Sequence, residues 1–276
     1  MQVAYVKMQG TGNKILVVDQ RRNDLPPPDA SSVRELGDDA TGPGFDQLMW
    51  VAPARDPGHA ASYRVFNADG TEVEQCGNGV RCVASLLSKE GRDNTAITLE
   101  SPAGLISAEV RDDGRVAVSM GAPEFEPRRI PFIADARAPF YTLSVAGRDI
   151  DVLVLSMGNP HCVLRVPDVS TAEVADLGPR IEHHERFPQR ANVGFMTIRG
   201  RTSIDLRVHE RGVGETLACG TGACAAVVAG QQLGLLDDEV DVRLPGGQVV
   251  VSWRGGTEAV WLTGNAELIS EGTLDV

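Results

Sequence analysis

The sequence predicts an α/β fold of the α+β kind, built as two similar halves, and three observations carry that expectation. Short alternating or β-branched runs of 5 or 6 residues, punctuated by Gly, Pro and Asp, recur along the whole chain and read as strands. Only four segments have helical character. Finally, the turn Cys-Gly-x-Gly occurs twice, at Cys76 and at Cys219, 143 positions apart.

Taken in order, the strand runs are VAYVKM, KILVVD, YRVFNA, AITLES, RVAVSM, DVLVLS, CVLRV, VGFMTI, SIDLRV, QVVVSW and AVWLTG. The first helix is expected in SSVRELGDD, where Ser32 and Glu35 have the spacing of a capping box. A second lies in STAEVADLGPRIEHHERF, and the two apolar segments 79–90 and 222–233 follow the Cys-Gly-x-Gly turns. The proline-rich stretch 121–132 breaks the pattern and marks the boundary between halves. Placing Cys76 on Cys219 also places Glu72 on Glu215, each four residues ahead of its cysteine. Identity outside the turns is thin, so the repeat is one of plan. A duplicated domain facing its copy across a pseudo-twofold axis would bring both turns to one cleft.

Bulk properties bound the function. A chain of 276 residues is long enough for about two domains with a sizeable core. It is 42% hydrophobic and 23% charged, and no apolar run approaches the roughly 20 residues of a membrane span. The start MQVAYVKMQG lacks the pattern of a signal peptide, so the expected location is cytoplasmic. Five cysteines, an odd number, fit a reducing compartment without a disulfide framework. The net charge of -12 argues against nucleic acid and anionic membrane as partners.

The paired turns point to chemistry. Backbone N–H groups at a helix start, with glycines allowing close approach, bind a carboxylate. The same field is expected to lower the pKa of a thiol placed there from about 8.5 toward neutrality. Two such cysteines on opposite sides of one carboxylate-bearing carbon could remove a proton from one face and return one to the other. A cysteine ahead of a glycine turn is also commonly a small core residue, and it is the repetition that favours chemistry. The spacings of Cys76 to Cys82 and Cys219 to Cys224 do not suit zinc, so no metal is expected, and Cys82 and Cys224 read as core. The full dinucleotide fingerprint is absent, and none of the three lysines has the setting of a pyridoxal phosphate Schiff base.

The segments FNADGTEVEQCGNGVRC and HERGVGETLACGTGACA resemble the two signature segments of the diaminopimelate epimerase family. KMQGTGN, GPGFDQ, SMGNPHCV and FPQRANVGF follow in that family's order, so the resemblance spans essentially the whole chain. It implies a cofactor-independent epimerisation of LL-diaminopimelate to meso-diaminopimelate, with Cys76 and Cys219 as the acid/base pair. It also implies that the amides of Gly77, Asn78, Gly220 and Thr221 hold the reacting carboxylate. Asn13, Gln47, Asn67, Asn159, Asn192, Glu210 and Arg211 take the family's substrate-binding positions, with His161 in a supporting one. His59, His183, His184 and His209 match no such position and read as surface or structural. The implied architecture is two pseudo-twofold-related domains, each a curved, mostly antiparallel sheet around a central helix. They would comprise residues 1–120 with 265–276, and residues 121–264. By the same likeness the partners are a small-molecule substrate and a second copy of the chain in a homodimer. A related two-base enzyme acting on proline, hydroxyproline or histidine is the alternative. One departure stands out: the family continues its first motif from Asn13 with Asp-Phe, whereas Lys14 and Ile15 stand here.

Overall fold

The computed structural model describes residues 2–23, 25–73, 76–89 and 96–275. Contacts divide the chain into two compact units, residues 1–119 with 263–276, and residues 120–262.

The first unit runs β1 (Gln2–Gly10), β2 (Asn13–Asp19), α1 (Ala30–Gly37), β3 (Gln47–Ala52), β4 (Ala61–Asn67), β5 (Glu72–Val73), α2 (Gly77–Ser88), β6 (Ile97–Ser101), β7 (Gly104–Val110) and β8 (Val116–Ser119). The second holds β9 (Tyr141–Val145), β10 (Arg148–Ser156), β11 (Pro160–Arg165), α3 (Val174–Glu182), β12 (Asn192–Gly200), β13 (Ser203–Glu210), β14 (Gly214–Thr216), α4 (Gly220–Gln232), β15 (Glu239–Leu244) and β16 (Gly247–Ser252). After β17 (Trp261–Gly264), the chain returns to the first unit as β18 (Glu267–Asp275), antiparallel to β1.

The two units repeat one pairing scheme. In the first, β2 and β3 are parallel, β3–β4 and β4–β5 antiparallel, β4–β6 parallel and β6–β7 antiparallel. In the second, β11–β12, β12–β13, β13–β14, β13–β15 and β15–β16 follow with the same orientations in the same order. The parallel steps are bridged by crossovers that carry the helices, whereas short connections join most of the antiparallel ones.

Each unit encloses a helix. The α4 sequence GTGACAAVVAGQQ is small and apolar on every face, and residues 222–230 are buried against strands from β10 to β16. A helix apolar all round belongs inside a core. Its counterpart α2 buries Asn78–Ser85 and Leu87 and packs on β1, β2, β3, β7 and β8. A second core layer lies on the other face of each sheet. There α1 places Val33 with Leu16, Val18, Leu48, Trp50 and Phe66, and α3 places Val174, Leu177 and Ile181 with Val193 and Phe195.

Two local expectations need correction. The cap of α1 is Asp29, whose carboxylate accepts the Ser32 N–H at 2.9 Å, and not a box of Ser32 and Glu35. An aspartate placed at the N-cap satisfies that orphan donor, and the helix begins one residue later, at Ala30. The helices expected at 79–90 and 222–233 begin at Gly77 and Gly220, so each cysteine is itself the N-cap. Glu90, the last residue of the first of these expectations, lies outside the described residues, as do Glu74 and Gln75 ahead of Cys76.

Candidate active site

In the first unit, Cys76 has the extended backbone of an N-cap, with φ -143° and ψ 105°. Its Sγ accepts the N–H of Gly79 at 3.2 Å, so the sulfur does what a capping oxygen does elsewhere. Gly79 is required there because a Cβ would sit 2.3 Å from Sδ of the buried Met49. Beside it, Asn78 is buried and its Oδ1 accepts from Arg81 Nη2 at 2.8 Å. The same nitrogen donates to Thr11 Oγ1 at 2.9 Å, which ties the start of α2 to the GTGN loop.

That loop delivers Asn13 to the head of a carboxamide chain. Asn13 Nδ2 donates to Gln47 Oε1 at 3.4 Å, Gln47 Nε2 to Asn67 Oδ1 at 3.0 Å, and Asn67 Nδ2 to Thr71 Oγ1 at 3.1 Å. The register makes this possible, since Gln47 pairs with Asn67 across β3 and β4. Asn13 Oδ1 is buried and has no hydrogen-bond partner among the described residues. The Lys14-Ile15 departure leaves this chain in place: Lys14 Nζ turns outward to Asp39 at 3.4 Å, and Ile15 is fully buried.

The second unit repeats the backbone and changes the chemistry. Cys219 is the N-cap of α4, with φ -123° and ψ 109°. Its Sγ lies 3.6 Å from Thr221 Oγ1, which accepts from Asn159 Nδ2 at 3.4 Å, and Asn159 Oδ1 is 2.9 Å from His161 Nε2. The residues His161, Asn159, Thr221 and Cys219 therefore form one chain. Burial, followed by the Arg211 charge, pushes the His161 imidazole down to about 3, so it is neutral and serves as a hydrogen-bonding group. Burial also pushes the Cys219 thiol well above its ordinary range. The charge and hydrogen bond of Glu210 add to that, and hydrogen bonds from Thr221 and the Gly222 N–H oppose it. This corrects the expectation of a thiol lowered toward neutrality, because at Cys219 desolvation outweighs the helix start.

Glu210 ends β13 and accepts the Thr216 hydroxyl. Asn192 is buried at the start of β12, where its Nδ2 donates to Pro160 O at 3.1 Å and its Oδ1 accepts the Arg211 N–H at 3.0 Å. The Arg211 guanidinium is exposed and donates to Gln189 O at 3.2 Å. Within the second unit Asn159, His161, Thr221 and Cys219 are thus joined, as are Asn192 and Arg211. Within the first, Asn13, Gln47 and Asn67 form one chain, and Asn78 belongs to another around Arg81.

Some residues that build these turns were not singled out from sequence. Arg64 holds Glu72 in a bidentate pair at 2.7 Å, and Arg207 holds Glu215 the same way at 2.6 and 2.8 Å. Each pair clasps the short hairpin that leads into its cysteine. Arg64 and Arg207, and likewise Gly79 and Gly222, stand 143 positions apart, so extending the Cys76–Cys219 alignment would have found them. Arg81 and the buried pair Glu182–His209 had no comparable signal. His209, read as surface or structural, is buried against Glu182. Among the described residues, no group of three His, Cys, Asp or Glu side chains could hold a metal ion.

Comparison with known proteins shows the family. The family model described as diaminopimelate epimerase matches residues 5–126 and 153–269. A diaminopimelate epimerase of Alkalilimnicola ehrlichii is 49% identical over 277 residues, covering 99% of each chain. One of Laribacter hongkongensis is 50% identical over 279 residues, again covering 99% of each. Among solved structures, a probable proline racemase from Agrobacterium radiobacter K84 matches with a TM-score of 0.68 at 17% identity, covering 99% of this chain and 93% of that one. A likeness that remote shows the fold alone, and it gives the proline alternative no support.

Proposed function

The chain belongs to the diaminopimelate epimerase family, and we propose that its two N-cap cysteines invert the α-carbon of diaminopimelate, interconverting the LL and meso forms without a cofactor. The observation that carries this reading is the duplicated turn: each unit presents a cysteine at the start of a buried helix, with the N–H groups of the first helical residues beside it.

Inversion needs a base on one face and an acid on the other, and the two sites differ in that sense. Cys76 is partly exposed and its sulfur accepts an N–H, an arrangement that favours a thiolate. Cys219 is buried, neighbours Glu210, and is held as a thiol. In the forward direction Cys76 takes the α-proton and Cys219 supplies one to the opposite face. In reverse the roles exchange. The reacting carboxylate sits on the amides of Gly77, Asn78, Gly220 and Thr221, where the helix dipoles stabilise the charge that develops when the proton leaves. His161 and Asn159 position Thr221 and, through it, Cys219. Asn13 Oδ1 can accept an ammonium N–H.

Diaminopimelate carries a second ammonium and carboxylate, and partners of both signs are available for them. Arg211 binds the distal carboxylate, with Asn67 and Asn192 in support, and Glu210 with backbone carbonyls receives an ammonium. The two halves of the enzyme are read as residues 1–120 with 265–276, and 121–264. The working form is read as a cytoplasmic homodimer, and the net charge of -12 supports a small-molecule substrate over nucleic acid.

The test is α-proton exchange in D2O with diaminopimelate, glutamate, proline and histidine as substrates. Deuterium should enter the α-carbon of diaminopimelate and not the others. Preference for proline or histidine would overturn the substrate assignment, and no exchange with any of them would overturn the enzymatic reading.

A further inference from the structure

The two oxygens of one buried carboxylate bracket the hairpin tip that carries Glu210 and Arg211. Glu182 ends α3 and is only 3% exposed. Its Oε2 lies 2.9 Å from His209 Nε2, and its Oε1 accepts the Gly212 N–H at 2.8 Å. These contacts fall on the residues immediately before and after the pair Glu210 and Arg211. The backbone between them turns from β13 into β14, with Val213 N–H on Glu210 O at 3.1 Å and Gly212 at φ +76°, where glycine is favoured. The other face of the His209 ring rests on α3 itself, because a Cβ on Gly178 would come within 2.7 Å of it.

The basic side chains facing Glu182 besides His209 are His183 at 3.9 Å and Arg190 at 3.7 Å, both largely exposed. Burial pushes the Glu182 carboxyl up, but the hydrogen bonds from His209 and the Gly212 N–H and the neighbouring histidines bring it below its ordinary range. It is therefore a carboxylate near neutral pH, and its two hydrogen bonds are of the strong, charge-assisted kind.

We infer that Glu182 is a positioning residue for the reaction: through His209 and Gly212 it fixes where the tip presents Glu210 and Arg211 to the substrate. This rests on the reading of those two residues given above. It makes α3, none of whose residues is assigned to the substrate, a determinant of how well diaminopimelate is held.

The experiment is a double-mutant cycle of Glu182→Gln and Arg211→Met with diaminopimelate, read together with amide hydrogen exchange. Glutamine keeps the volume but offers one acceptor oxygen where the tip needs two. In Glu182→Gln, exchange should quicken across residues 209–214 while the rest of the chain stays protected. Its kcat/KM should fall about 10- to 100-fold, the scale of a displacement near 1 Å, mostly through KM. In the Arg211→Met background the same change should cost at least about threefold less, since one of the two groups it positions is gone. Kinetics within about twofold of wild type, or an equal loss in both backgrounds, would overturn the inference. Should Glu182→Gln not fold, His209→Gln removes one of the two ties and is judged by the same criteria. An Arg211→Met enzyme as active as wild type would sink the assignment of Arg211 instead, and the cycle is then closed against Glu210→Gln.

Discussion

The two units hold the same backbone device and surround it with different side chains. In both, an extended N-cap cysteine follows a short hairpin clasped by an Arg–Glu pair, and a glycine three residues on lets the helix pack tightly. The residue 143 positions after Asn67 is Glu210. Where the first unit ends its β4 in a neutral carboxamide chain, the second ends its β13 in a carboxylate beside a buried thiol. The repeat thus supplies two matching cradles, and single side chains make them unlike. An inversion reaction has use for that difference, because it must begin with one sulfur charged and the other protonated.

The largest expected effect tests whether the cradles are complementary or redundant. Cys76→Ala and Cys219→Ala should each lower kcat by roughly 10²- to 10⁴-fold, the range of a positioned acid or base. If either variant turned over within about tenfold of wild type, the two cysteines would not share one reaction.

A smaller effect separates the glycines. A methyl at Gly79 would strike buried Met49 at 2.3 Å, whereas one at Gly222 would meet Val208 at 3.0 Å and Cys219 at 3.2 Å. Gly79→Ala should therefore cost about 1 to 3 kcal/mol in urea unfolding, as overpacking does, and Gly222→Ala less than about 1 kcal/mol. Equal costs would mean that the cradles are packed alike.

The smallest effect concerns acid. The chain Asn13–Gln47–Asn67 contains no titratable group, but His161 does titrate, and its folded pKa of about 3 lies below the ordinary 6.5. Its contribution to stability is complete above about pH 6.5 and is lost progressively as pH falls toward 3. Between pH 7 and pH 5 the wild type should lose up to about 2 kcal/mol that His161→Gln does not lose. Parallel pH profiles for the two proteins would contradict the buried, neutral imidazole.

Much of this was legible in sequence, and the reasons for the rest are physical. Long β-branched runs such as KILVVD and VGFMTI announce β2 and β12 because they are buried on both faces. Strand β3, QLMWVA, has few β-branched residues, and β5 and β14 are too short for alternation to register. The cysteine turns were readable because they recur, and the clasping arginines lay open to the same alignment. The raised Cys219 thiol was not readable, since burial depends on how strands enclose α4. Nor was the Glu182–His209 pair, whose partners stand 27 residues apart and meet only when α3 packs on β13. The cap of α1 goes to Asp29 because its carboxylate, three residues ahead, reaches the Ser32 N–H and competes with a box built on Ser32 and Glu35.

The most direct measurement of the central claim is where deuterium appears first when LL-diaminopimelate is turned over in D2O. If Cys76 and Cys219 each serve one face, the proton removed stays on its sulfur until the product leaves, the new one comes from the other, and both sulfurs then exchange with solvent. Label should then appear in the meso product well before it appears in the remaining LL substrate. Label entering the remaining substrate as fast as the product would mean that one base serves both faces, and the account of two differently set cysteines would be wrong.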